Sequence, residues 1–72
     1  TKLSFQEAPD HQPPRWPDPD FPQQFHLDIH VDSIDEAEPK VLALGAKLLS
    51  STAKTWRVFA DPAGHPFCLT WN

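Results

Sequence analysis

Residues 25 to 32 read Phe-His-Leu-Asp-Ile-His-Val-Asp. Imidazoles and carboxylates are the side chains that bind metals, move protons and grip polar ligands. Here His26, Asp28, His30 and Asp32 take every second position, and Phe25, Leu27, Ile29 and Val31 fill the others. Successive side chains of a β-strand point to opposite faces, so the polar four share one side and the apolar four the other. Reach limits what the polar row can do. At about 3.3 Å per residue, His26 and His30 stand roughly 13 Å apart and cannot share one ion. His26 with Asp28, or Asp28 with His30, are about 7 Å apart, a separation two side chains can close. Near the other end of the chain Cys68 and Thr70 alternate with Phe67, Leu69 and Trp71. A thiol beside a base such as His26 is a nucleophile, and without one it is a small buried hydrophobe. The polar row also fits a sheet face that meets only water. His65 reads as a solvated turn residue, and His11 has no partner that the sequence identifies.

These groups depend on the elements that carry them. Lys2 to Gln6 alternates Leu3 and Phe5 with polar residues, which predicts a short strand. Pro9, Pro13, Pro14, Pro17, Pro19 and Pro22 then exclude helix and central strand, because each lacks an amide donor and holds φ fixed. That stretch is a connecting or covering loop, with Trp16 available to pack on the domain and a PxxP spacing at Pro14-Arg15-Trp16-Pro17 that also fits an aromatic groove of a partner. Ser33 with Glu36 forms a capping box, and Asp35, Glu36 and Glu38 suit the positive end of a helix dipole. Ile34, Ala37, Val41 and Leu44 recur at helical spacing up to Gly45, the left-handed stop. Pro39 is out of place, since its ring opposes the Asp35 carbonyl and predicts an irregular first turn or a kink. Lys47 to Ser51, Thr55 to Ala60 and Pro66 to Trp71 read as strands, with a turn at Asp61-Pro62-Ala63-Gly64 before the last.

Composition removes whole classes of function. At 72 residues the chain is one domain at most, and a chain of that size buries only about 60 % of its unfolded surface. A net charge of −4 with six unclustered Lys and Arg gives no footprint for a phosphate backbone, so nucleic acid is not an expected partner. No apolar run is long enough to span a bilayer, so no membrane is expected either. The single Cys68 rules out an internal disulfide and a cysteine-built zinc site, and points to a reducing compartment, the cytoplasm. The chain opens on Thr inside a predicted strand, which reads as a fragment or a processed chain.

Four segments taken together carry a resemblance: His26 to Asp32, Ala43-Leu44-Gly45-Ala46, Trp56-Arg57-Val58 and Asp61-Pro62-Ala63-Gly64-His65-Pro66-Phe67-Cys68-Leu69. Over roughly residues 23 to 72 the chain resembles the second half of a glyoxalase-like, bleomycin-resistance-type protein of the vicinal oxygen chelate superfamily. The resemblance implies an α+β fold: a βαβββ module with one helix packed on a mostly antiparallel, curled sheet, preceded by one extra strand. Residues 1–8 would be the last strand of a preceding module, 9–24 the connecting loop and 25–72 the module itself. It also implies a cavity between paired βαβββ modules, where many members hold a divalent metal. His26 matches the first metal ligand of such a module. The second, a Glu of the last strand, is replaced by Cys68, and Lys2 stands at the corresponding position of the preceding module. Hard ions prefer oxygen, and a lone thiol does not replace a carboxylate.

The expected function is therefore small-molecule binding without the full family metal set. A metal-dependent lyase, isomerase or dioxygenase, its ligands completed by an absent half or a second chain, is the alternative. His26, Asp28, His30, Cys68 and Thr70 are the expected ligand-binding groups, with Trp16 closing over the mouth. No metal or other cofactor is expected, His26 being the ligand if there is one. The partners expected are the small molecule and a second βαβββ module, from the same chain or another copy, giving a dimer.

Overall fold

A computed structural model describes residues 2–72; Thr1, the first residue of the expected 1–8 segment, lies outside them. The elements are β1 (Leu27–His30), α1 (Ile34–Ala43), β2 (Lys47–Ser50), β3 (Trp56–Ala60) and β4 (Pro66–Thr70), the βαβββ order expected. One four-stranded sheet runs β1-β4-β3-β2. β2 with β3 and β3 with β4 are antiparallel, while β1 returns beside β4 in parallel. The fold is α+β, a single helix on a mixed sheet.

The helix begins where its cap is. Ser33 is extended at the N-cap and its Oγ accepts from the Glu36 amide at 3.4 Å. At the other end Gly45 turns left-handed at φ +106°, its amide bonds to the Leu42 carbonyl, and the Ala46 amide bonds back to Val41. This pair of bonds is the Schellman stop. Pro39 does not break the helix, which continues through it to Ala43. The Asp35 carbonyl loses its usual donor, but Asp35 and Pro39 both face solvent, so the carbonyl is not shut away from water.

Sheet register decides which side chains the helix covers. Leu27 pairs with Phe67 and Ile29 with Leu69 across β1–β4, while Phe59 pairs with Phe67 across β3–β4. Those residues therefore share the helix side of the sheet. Phe59, 0 % exposed, and Leu69 form the core with Ile34, and Val31, Ala37, Val41, Ala46 and Trp71 pack round it. Arg57 ties helix to sheet, with Nη1 2.7 Å from Glu38 Oε2 and the guanidinium over the Trp71 ring. The proline loop is an ordered strap. Pro14 is buried, Arg15 lies over the Phe21 ring, and a methyl group at Gly64 would come within 2.8 Å of the Pro14 carbonyl oxygen.

Three expectations are corrected. Residues 2–6 form no strand: Leu3 and Phe5 are 65 % and 86 % exposed, and among the described residues no strand pairs with them. A strand needs a ladder partner, and alternation supplies none. Leu44 does not face the core but is the C-cap residue, 81 % exposed. The helix also fails to seal the whole apolar row of β1. A ten-residue helix covers the centre of the sheet, so Phe25 and Ile29 at the edge stay partly open. Leu27 and Ile29 instead line, with Leu3, Phe5, Val41 and Phe67, a cavity of about 690 Å³.

Burial orders the cost of truncation. Phe59→Ala should lower stability by about 3–5 kcal/mol, and Ile29→Ala, half-exposed at the edge, by about 1–2 kcal/mol. Urea denaturation of the two variants would check the order, and equal losses would contradict this packing.

Candidate functional site

The face of the sheet away from the helix carries the polar groups. Along β1, Asp28 and His30 alternate with Leu27 and Ile29, and in the parallel register Asp28 stands beside Cys68 and His30 beside Thr70. His26, two residues before Asp28, projects to the same side. The contacts agree: His26 Nε2 is 3.0 Å from Asp28 Oδ1, and His30 Nδ1 is 3.1 Å from Thr70 Oγ1. Five of the six expected site residues, His26, Asp28, His30, Cys68 and Thr70, thus lie on one surface.

The sixth, Trp16, does not join them. It lines a separate hollow of about 490 Å³ with Pro13, Lys47, Leu49, Ala60 and Pro62, held there by the strap. Neither this hollow nor the larger one on the helix side includes any of the other five residues. In the single chain His26, Asp28 and His30 lie exposed on their face while Cys68 is buried between them and Val58, and a cavity over the exposed groups requires a second wall.

Two groups on or beside that face were not singled out from sequence. Trp56 pairs with Thr70 and so shares the open side, nearly half exposed. Gln23 Oε1 lies 3.3 Å from His26 Nδ1. The parity of Trp56 relative to β4 is fixed only by register, which no local pattern supplies.

Cys68 is the buried member of the group, packed beside Asp28 on one side and Val58 on the other. Its thiol is held above the ordinary cysteine range, chiefly by burial and further by the Asp28 charge and a hydrogen bond to that carboxylate. A thiol held protonated in this way is poorly disposed to nucleophilic attack.

Among the described residues His26, Asp28 and Cys68 form a group able to hold a metal ion, their donor atoms all within 4.8 Å of one another. One nitrogen, one carboxylate oxygen and one sulfur do not fit the oxygen-rich shell of Mg²⁺ or Ca²⁺, nor the two-His, one-carboxylate set of non-haem iron. They fit zinc, which takes all three donor types. The expectation of no metal rested on Cys68 and Lys2 standing at the two carboxylate positions; the His26–Asp28 pair read along the strand has Cys68 beside it in the ladder.

A family model described as Glyoxalase-like domain matches residues 1–70. The chain belongs to that family. Comparisons with curated proteins and with solved structures find no match. The βαβββ order and mixed sheet of this glyoxalase-like domain are those its sequence resemblance implies. No helix of the described residues is long and apolar enough to cross a membrane.

The cause of the thiol shift is testable. Asp28→Asn removes the charge but not the burial, so the pH midpoint for alkylation of Cys68 by iodoacetamide should move down while remaining above that of a free thiol. An unchanged midpoint would show that Asp28 does not act on Cys68.

Proposed function

We propose that this glyoxalase-like domain is one half of a small-molecule binding unit, its open sheet face forming one wall of a cavity that a second βαβββ module closes. One observation carries the reading: the helix covers only one side of the sheet, and the other gathers Asp28, His30, Cys68 and Thr70 within two adjacent strands. Such a face, with His26 at one end and Trp56 near Thr70, suits a polar or partly aromatic molecule, gripped by hydrogen bonds and stacking. Among the described residues the outer edge of β1 has no strand beside it, and unpaired edges are normally covered. A second copy, or a preceding module of a longer chain, is the partner that fits this edge. The vicinal oxygen chelate and bleomycin-resistance-type proteins are the wider group to which we assign it, and the lone Cys68 supports a reducing compartment, the cytoplasm.

A second reading, a metal-dependent lyase, isomerase or dioxygenase with ligands completed by the second module, is favoured by the donor group at His26, Asp28 and Cys68. Zinc there would supply a Lewis acid for a bound oxygen. Of the chain's own residues, His30 and Thr70 would then orient the bound molecule, one hydrogen-bonded pair beside the donors.

Two measurements test the first reading. Sedimentation at micromolar concentration should give a dimer mass, whereas a compact, cooperatively folding monomer would contradict pairing. In a thermal-shift screen of small polar and aromatic acids, His30→Ala should abolish the shift given by any binder. Its own stability should stay within about 1 kcal/mol of the parent, because His30 is exposed. A binder indifferent to His30→Ala would place the site elsewhere.

A further inference from the structure

We propose that the cavity on the helix side of the sheet is a second binding site, for a neutral and mostly apolar molecule whose single hydroxyl is held at His11. It lies on the opposite face of the sheet from Asp28 and His30, and it stands independently of how that face is used.

The cavity has the size and walls of a ligand site. Its volume of about 690 Å³ is in the range that takes a small molecule. Leu27, Ile29 and Phe67 of the sheet and Val41 of the helix form one wall, and Leu3 and Phe5 at the beginning of the chain form the other. Leu3 and Phe5 are 65 % and 86 % exposed, and Phe25 and Ile29, which also line the cavity, are 44 % and 45 % exposed. Apolar side chains gathered this way on both sides of a hollow mark a surface that an apolar body covers.

The polar end comes from the proline-rich loop and the turn before β4. The rings of His11 and His65 lie with centroids 5.1 Å apart, and the Phe25 ring is 4.8 Å from that of His65. His65 is engaged at both nitrogens, Nε2 with Gln24 Oε1 at 3.3 Å and Nδ1 with Asp61 Oδ2 at 3.5 Å. Gln24 Nε2 donates to the Gln12 carbonyl, and Asp61 Oδ1 accepts from the Ala63 and His65 amides. His11 Nε2 differs: it is buried and has no hydrogen-bond partner among the described residues. A buried nitrogen left unpaired is costly, and a ligand group that bonds to it removes the cost. A hydroxyl suits either tautomer of His11, because it both donates and accepts.

Charge excludes ions. Among the described residues no Lys or Arg lines the cavity, Asp61 stands at its polar end, and the chain carries −4, all of which oppose a carboxylate or phosphate. Both Asp61 oxygens are already taken, so an organic cation finds no free carboxylate. A phenol or naphthol has the chemistry that remains, its ring against Leu27, Ile29 and Phe67 and its hydroxyl at His11.

N-phenyl-1-naphthylamine, neutral and fluorescent in apolar surroundings, is the probe. Titrated into the folded chain, it should bind saturably at one molecule per chain, and 2-naphthol should displace it at lower concentration than naphthalene or 2-naphthoate. His11→Phe keeps a ring and removes the nitrogens; it should raise the 2-naphthol concentration needed by about fivefold and leave that of naphthalene within about twofold. Ile29→Trp directs a larger side chain into the cavity, because strand parity fixes its direction, and should abolish saturable binding. Circular dichroism separates that loss from loss of fold. No saturable binding to the parent chain, binding unaffected by Ile29→Trp, or a preference for 2-naphthol that survives His11→Phe would overturn the proposal. Stronger displacement by 2-naphthoate would overturn the ligand class. Probe binding that is lost as the chain concentration rises would make a second copy the occupant, and binding lost in His30→Ala but kept in Ile29→Trp would put the molecule on the other face; either result would overturn it.

Discussion

The parallel pairing of β1 with β4 is the constraint on which the rest depends. Strand side chains alternate with period two, so the register that sets Leu27 beside Phe67 and Ile29 beside Leu69 also sets Asp28 beside Cys68 and His30 beside Thr70. One pairing builds both faces. Slipping it by a single residue would turn Leu69, 2 % exposed, out of the core and bring Cys68 under the helix. The apolar core with Phe59, Leu69 and Ile34 thereby holds the polar groups of the other face in their places.

Stability in so short a chain is concentrated. The helix is fixed at both ends by its own sequence, through Ser33 and Gly45, and reaches the sheet through Ile34, Ala37 and Val41 and the Glu38–Arg57 pair. The strap from Pro13 to Phe21 covers the Asp61–Gly64 turn, where Asp61 Oδ1 accepts from the Ala63 and His65 amides. What stays uncovered is the outer edge of β1, the face with His26, Asp28 and His30, and Leu3 and Phe5 at the beginning of the chain. Those are the surfaces a second βαβββ module would bury.

Much of this was legible in residue order. Perfect alternation gave β1 and its two faces, the capping box and Gly45 gave the helix and its end, and Pro62 with Gly64 gave the turn before β4, because each signal is local. The misses have two causes. Leu3 and Phe5 alternate like a strand but have nothing to pair with; Leu44 falls on the helical period one residue past the last turn; Trp16 follows a strap whose course depends on the turn it rests on. Leu44 is turned out by the local stop at Gly45, whereas the strand and the strap each needed knowledge of a distant neighbour. The same holds for Asp28: its place beside His26 could be read along the strand, but its place beside Cys68, 40 residues away, is a property of the ladder alone.

The register of that ladder is therefore the claim to test first. Isotope-edited nuclear Overhauser spectra of the folded chain should show backbone contacts between β1 and β4 in the parallel pattern, and side-chain contacts from Cys68 to Asp28 but from Leu69 to Ile29. Contacts from Cys68 to Leu27 or Ile29, or an antiparallel pattern between the two strands, would contradict it and remove the common face on which the site is built.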